Sequence, residues 1–442
     1  MNPLPWVRPE DFFVAHLGSR PRAFWLDSGG ARPWSGSTSY VGWLADTDVS
    51  LTWSAAEATV WEQRAGERRP LGRDIFAELR RRQPAGGGGA WVGWFGYSCR
   101  LDLPARVAKS AIPDACWMRM ARWVAFDHAT RRVTAVSARG VDAAAWRDEV
   151  AALLACTPPA PGLVAPPLPG PQRVESFDEY ATAFAVVQDN LRHGNSYETN
   201  LTHRLSLWSP ALPLDTYRRL RRLNPAPYAA YLTHDAASVL SSSPERYATV
   251  DSGRRIETRP IKGTTARHGD QTKDRQAAVR LRSEPKFRGE NLMIVDLLRN
   301  DLSRVCQVGT VDVTNLMHVE SYPTVHQLVS TIEGRLRDDV GTVDALEALF
   351  PGGSMTGAPK LRTMRLIADV ETTPRGVYSG ALGWIRDDGT ADLGIVIRTL
   401  VHHGERYELG TGGGVTVRSR VEDEYVEAGW KAANLLRALG SA

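Results

Sequence analysis

The sequence predicts an α+β fold built on large, mostly antiparallel sheets. Three observations carry this. Strand-like runs over the second half are separated by tight turn signals, at Asp251-Ser252-Gly253, Asp387-Asp388-Gly389 and His403-Gly404. Helical stretches lie between those runs. A chain of 442 residues exceeds what one simple core holds, which points to two lobes or one large two-layer domain.

The elements follow in chain order. Gly86 to Gly89 form a flexible loop ahead of an apolar, strand-like run over 90–97. No Lys-Ser/Thr pair follows those glycines, so they do not make a phosphate-binding loop. Residues 1–156 hold most of the tryptophans but no catalytic cluster, and are expected to form a structural or regulatory lobe. The stretch TPPAPGLVAPPLPGP then disfavours helix and central strand, because proline lacks an amide donor. Residues 157–172 are expected to be a linker or strap, with a long surface loop as the alternative. This leaves residues 173–442 as the second unit.

Residues 177–193 read as a helix behind an N-cap at Ser176. Residues 239–264 read as a hairpin-like pair of strands. Residues 290–305 read as a helix that is apolar nearly all round, hence deeply buried. Residues 376–417 read as strands and 422–439 as the last helix.

Composition narrows the function. Hydrophobic residues at 43% and charged residues at 24% suit a folded soluble protein. The net charge of +4, from 54 basic and 50 acidic residues, gives no footprint for nucleic acid or a membrane surface. Cys99, Cys116, Cys156 and Cys306 form no CxxC pair, which argues against a zinc site or a disulfide framework. A reducing, cytoplasmic setting is expected, with neither signal peptide nor membrane span.

Several carboxylates suit a hard cation such as Mg2+, which takes oxygen ligands. Glu290 opens the apolar helix, and Glu424 and Glu427 share one face of the last helix. By spacing alone an ion pair with Lys431 at i+4 is the simpler reading of Glu427. Asp296, Arg299 and Asp301 read most simply as buried ion pairs that fix helix packing.

Read together, seven segments change the weight of these residues: SSSPERY (241–247), RPIKGT (259–264), ENLMIVDLLRNDLSRV (290–305), FPGGSMTGAPK (350–360), YSGALGW (378–384), GIVIRTLV (394–401) and TGGGV (411–415). In this order they resemble the successive motifs of the chorismate-utilizing enzymes, over about residues 175–440. The resemblance implies two large antiparallel sheets stacked face to face with helices outside. It also implies Mg2+ on the ring carboxylate of chorismate, held by Glu290 and Glu427 with Glu424 in the same acidic cluster.

The resemblance assigns further roles. Within GIVIRTLV, strand alternation puts Arg398 on one face with Val396 and Leu400. A guanidinium there needs an anion, and the family supplies the enolpyruvyl carboxylate of chorismate, with Tyr378 beside it. Gly412, Gly413 and Gly414 let the backbone approach a carboxylate, a tight turn being the alternative. Thr264 joins the substrate-binding set. The 352–360 loop is expected to line the site, with Lys360 either facing substrate or pairing with a carboxylate of the fold.

Lys262 is the most informative position. Aminodeoxychorismate synthases carry a lysine there, whereas anthranilate synthases resemble PIAGT. The resemblance implies nucleophilic attack by Lys262 on chorismate, with a charge-partner role as the alternative. Glu245 matches the family's acid/base glutamate. Glu198 stands where isochorismate synthases place a water-activating lysine and ammonia-using members more often carry glutamine. It either guides or deprotonates ammonium, or forms a hydrogen-bonding wall. His326 matches a histidine near the substrate ring. No cysteine sits in an amidotransferase-like nucleophile turn, so the family implies a separate glutamine amidotransferase partner as the ammonia source. The segment NPAPYAAYL (224–232) resembles part of the wall of the tryptophan feedback pocket of anthranilate synthases.

Overall fold

The computed structural model describes residues 3–440 apart from 29–31, 33, 83–85, 167, 168, 171, 323 and 324, and of 172–174 it describes the backbone alone. Part of the proline-rich stretch, including Pro171, and Pro323 and Thr324 of SYPTVHQLVS, therefore lie outside the described residues.

Two sheets of 11 and 12 strands dominate, counted among the described residues. Their strand pairs are antiparallel. Side-chain alternation gives each sheet two apolar faces. Phe24 turns toward the other sheet, joining Val239, Val401, Val92, Trp94 and Leu382 in an inner core. Its neighbour Trp25 turns outward and packs with Phe13, Tyr217 and Leu435 of flanking helices. Trp94 and Phe95 divide in the same way in the second sheet, Phe95 meeting Phe76, Leu298 and Leu346. The result is helix, sheet, sheet, helix: the α+β arrangement with stacked sheets and outer helices that the sequence suggested.

The expected division at 157–172 is not a division between sheets. Strand Arg22–Asp27 pairs with Tyr228–His234, and Ala90–Phe95 pairs with Ala381–Arg386. Each sheet thus runs across the proline-rich stretch. Pairing of this kind removes the open edges that two separate half-sheets would expose.

Three local expectations are corrected. Residues 239–264 form parts of four strands instead of a hairpin pair: Ala237–Ser243, Arg246–Val250, Arg255–Arg259 and Ile261–Ala266. The first lies in one sheet and the others in its partner, so the chain changes sheets at Pro244-Glu245. The run GIVIRTLV is likewise not one strand. Ala391–Ile395 and Thr399–His403 belong to different sheets, and Arg398 sits in the link with φ of 50°. The third correction concerns the Pro285–Ser303 helix, which buries one face through Ile294, Val295, Leu298 and Leu302, while Leu292 is half exposed.

The two sheet changes interlock. Ile395 N donates to Glu245 O at 3.0 Å, and Ser242 N donates to Arg398 O at 3.0 Å. Chain order alone does not bring Glu245 and Arg398 together; this double crossover does.

Candidate active site

Glu198 opens strand Glu198–Trp208, which pairs with Arg406–Val415 so that Asn200 faces Gly414. Lys262 lies on Ile261–Ala266, where the pairing with Val325–Arg335 slips between Ile261 and Thr264. Gly263, at φ of 92°, accommodates that bulge as few other residues would. The bulge re-aims Lys262 into the interior, where its ammonium forms a salt bridge with Glu198. Both side chains are buried. A Cβ added at Gly414 would overlap Glu198 Oε1 and lie 3.0 Å from Lys262 Nζ. Glycine is required there by close approach.

Glu245 completes this group. Burial pushes its carboxyl up to about 7, against a hydrogen bond from Ser354 and the Lys262 charge. Burial also works against the Lys262 ammonium, yet the Glu198 carboxylate, helped by Glu290 and Glu245, raises its pKa above the usual lysine value. Lys262 is therefore cationic in the resting site. Ser354 connects the two residues, because its carbonyl also accepts from Lys262 at 3.5 Å.

The acidic cluster stands at the same end of the glycine strand. A Cβ at Gly413 would lie 3.2 Å from Glu424 Oε2 and 4.0 Å from Glu427 Oε1. Lys286 pairs with Glu424 at 3.1 Å and Lys431 with Glu427 at 2.7 Å. The i+4 ion pair open at the sequence level is thus present. Glu290 differs. Burial, with Glu198 nearby, pushes its carboxyl up to about 8, and its buried Oε1 has no hydrogen-bond partner. Among the described residues no three acidic, histidine or cysteine side chains already stand in metal-holding geometry. A hard cation nevertheless suits this donor set, since Glu290 is a buried oxygen acceptor lacking a partner.

Arg398 is partly buried, and the loss of water around it pulls its guanidinium pKa down while Tyr378 and Glu427 act the other way. Tyr378 lies over Gly410, where any Cβ would overlap its ring. A cavity of about 630 Å³ borders Tyr378, Val396 and Thr399 and extends to Arg204 and Glu175, whose carboxyl burial pushes up to about 6. A smaller cavity of about 140 Å³ is lined by Pro227, Tyr228, Asp27 and Trp384. Part of the NPAPYAAYL segment lines this cavity, together with residues from the first 156.

Other expected site residues have partners of their own or face solvent. Lys360 is taken up by Asp301 at 2.7 Å and by Leu349 O at 2.8 Å, so it fixes the fold instead of facing substrate. Asp301 is buried as expected, but Asp296 and Arg299 form an exposed pair. Thr264 is exposed. His326 is buried with its ring nitrogens on Ser321 and Asp274, at 2.8 and 3.0 Å. Ser354 and Lys286 were not singled out from sequence. Lys286 had a signal, since it precedes Glu290 by one helical turn.

Two stacked sheets thus meet at a seam that holds Lys262 with Glu198 and Glu245, a partly buried Arg398 and an acidic rim. Residues 22–437 match the chorismate binding enzyme family, and the chain belongs to that family. An aminodeoxychorismate synthase of Streptomyces pristinaespiralis is 40% identical over 458 residues, covering 97% of this chain and 63% of that protein. The chloroplastic aminodeoxychorismate synthase of Arabidopsis thaliana is 39% identical over 77% of this chain and 39% of its own length. The chain thus spans less than two thirds of these relatives. Anthranilate synthase component I from Streptococcus pneumoniae has the same fold, with a TM-score of 0.79 at 26% identity, over 92% of this chain and 93% of that one. No helix among the described residues is long and apolar enough to cross a membrane.

Proposed function

We propose that the chain converts chorismate and ammonia into 4-amino-4-deoxychorismate and water. The observation that carries this is the buried Lys262 between Glu198 and Glu245. The similarity to aminodeoxychorismate synthases over most of the chain supports the same reading.

In this reading Arg398 holds the enolpyruvyl carboxylate, with Tyr378 beside it, and the Gly412–Gly414 backbone lies against the ring. Glu198, in contact with the Lys262 ammonium, takes its proton and frees the amine. The amine attacks C2, the ring double bonds shift, and the C4 hydroxyl leaves as water with a proton from Glu245. A carboxyl held near 7 is still substantially protonated at neutral pH and suits that task. Ammonia then bonds to C4, the double bonds shift back, and the Lys262 nitrogen leaves C2. The one proton that ammonia loses restores Glu245, and Glu198 returns its proton to the freed Lys262 amine. The enolpyruvyl group is retained throughout.

Glu290 and Glu427, with Glu424, are the residues that would hold Mg2+, which when bound neutralises the ring carboxylate. A glutamine amidotransferase would supply the ammonia, and a separate lyase would carry the product to 4-aminobenzoate. The free thiols suit a reducing setting, so the cytoplasm is the compartment proposed.

Purified protein with chorismate, Mg2+ and ammonium, followed by product analysis, tests the reading. Accumulation of 4-amino-4-deoxychorismate supports it. Anthranilate released without added lyase would overturn it in favour of amination at C2.

A further inference from the structure

Glu371, just past the helix Lys360–Val370, is 4% exposed, yet its carboxylate is fully used. It accepts from Thr202 N at 3.0 Å, Thr202 Oγ1 at 2.7 Å and Arg204 Nη2 at 2.9 Å. It also takes both Arg375 Nε, at 3.0 Å, and Arg375 Nη2, at 2.7 Å, so Arg375 docks on it as a fork. Arg375 is itself 5% exposed, with its guanidinium 4.4 Å from the centre of the Tyr97 ring. A buried arginine bound in this way has one orientation.

Its remaining hydrogens reach three other segments. Nη2 donates to Asn200 O at 2.8 Å, two residues from Glu198. Nη1 donates to Met355 O at 2.6 Å, next to Ser354, which touches both Lys262 and Glu245. Nη1 also reaches Ser379 Oγ at 3.4 Å, next to Tyr378. Ser379 has φ of 68°, a conformation that needs support from its surroundings. Asn200 adds a cross-link, with Nδ2 on Met355 O at 3.2 Å and N on Thr356 O at 3.0 Å.

We infer that Arg375, oriented by Glu371, is a positioning residue that sets the Lys262–Glu198–Glu245 geometry and the placement of Tyr378. It does not touch the reacting groups. It fixes the strand that starts at Glu198, the loop that carries Ser354 and the turn that carries Tyr378 relative to one another. Small displacements of such segments cost rate more than binding, because a nucleophile and an acid must be aligned at once. The inference rests on the proposed use of Lys262 and Glu245.

The test uses Arg375→Lys, which keeps the charge but not the fork, and Glu371→Gln, which keeps the shape but weakens the grip. Two readouts are compared in protein shown to be folded by circular dichroism. The first is chorismate consumption with ammonium, resolved into kcat and KM. The second is the rate at which an amine-specific reagent labels Lys262, read by peptide mass spectrometry. The expected result is a kcat at least roughly tenfold lower, with KM for chorismate within about threefold. Lys262 is expected to label faster as its contact with Ser354 loosens. Wild-type kcat and labelling in folded variants, with only a lower melting temperature, would overturn the inference and leave the network purely structural. A different product from the wild type would count against the proposed function alone, since kcat is scored on chorismate consumed. Labelling requires no turnover, so it decides the inference even if no chorismate is consumed.

Discussion

The Lys262 ammonium donates to the Glu198 carboxylate inside the protein, where neither charge has bulk water to fall back on. The pair stores a proton beside the nucleophile. It also makes each partner dependent on the other for stability. Removing one member of a buried pair costs about 3–5 kcal/mol, because the remaining charge stands uncompensated. Lys262→Ala is therefore expected to lower turnover by on the order of 10³-fold or more, as removal of a covalent nucleophile does. It should also destabilise the protein, and adding Glu198→Gln should recover much of that stability. Denaturant melts of the two single variants and the double variant measure the coupling.

Glu245 predicts the pH behaviour. Its folded-state pKa, about 7, lies above the ordinary value of 4.5. Below 4.5 the carboxyl is protonated in both states and its contribution to stability is complete. As pH rises toward 7 the unfolded chain releases the proton first, so stability falls, by up to roughly 3 kcal/mol in all. Activity should fall on the alkaline side with an apparent pKa near 7, because the acid must hold its proton. Glu245→Gln should abolish that limb and flatten the stability profile between these values, as kcat-pH curves and urea melts would record.

Glu290 carries a buried oxygen without a partner. Glu290→Gln is expected to stabilise the metal-free protein by roughly 1–3 kcal/mol above pH 8, since an uncompensated buried charge disappears. The same variant should lose the rise in melting temperature that Mg2+ produces in the wild type. Thermal melts with and without Mg2+ at pH 8.5 supply both readings.

Arg398 is expected to act mainly in binding. Arg398→Ala removes a charge-assisted contact of about 1.5–3 kcal/mol, which corresponds to a roughly 10–150-fold higher KM for chorismate. A fall in kcat with unchanged KM would place Arg398 outside the carboxylate site.

Much of the site was legible in the sequence because its residues lie in compact motifs. Glu245, Lys262, Glu290 and Glu427 each sit in one, and the fold returns all four to one end of the glycine strand. The sheet changes were not legible. GIVIRTLV reads as one strand by composition, and only the positive φ at Arg398 shows where it switches sheets. Lys360 was legible as a charge but not as a partner, since Asp301 lies 59 positions earlier and meets it only through helix packing. The pairing of the first 156 residues with both sheets was hidden for a related reason. Strand alternation says which face is buried but not which strand lies alongside.

The central claim is that Lys262 bonds to the substrate. It is tested most directly by incubating the protein with chorismate and Mg2+ without ammonia, quenching, and examining the Lys262 peptide by mass spectrometry. The account predicts an adduct on Lys262 equal to chorismate less one water, which disappears when ammonium is added before the quench. An unmodified Lys262 in protein that turns over normally with ammonia, together with undiminished turnover by Lys262→Ala, would contradict it.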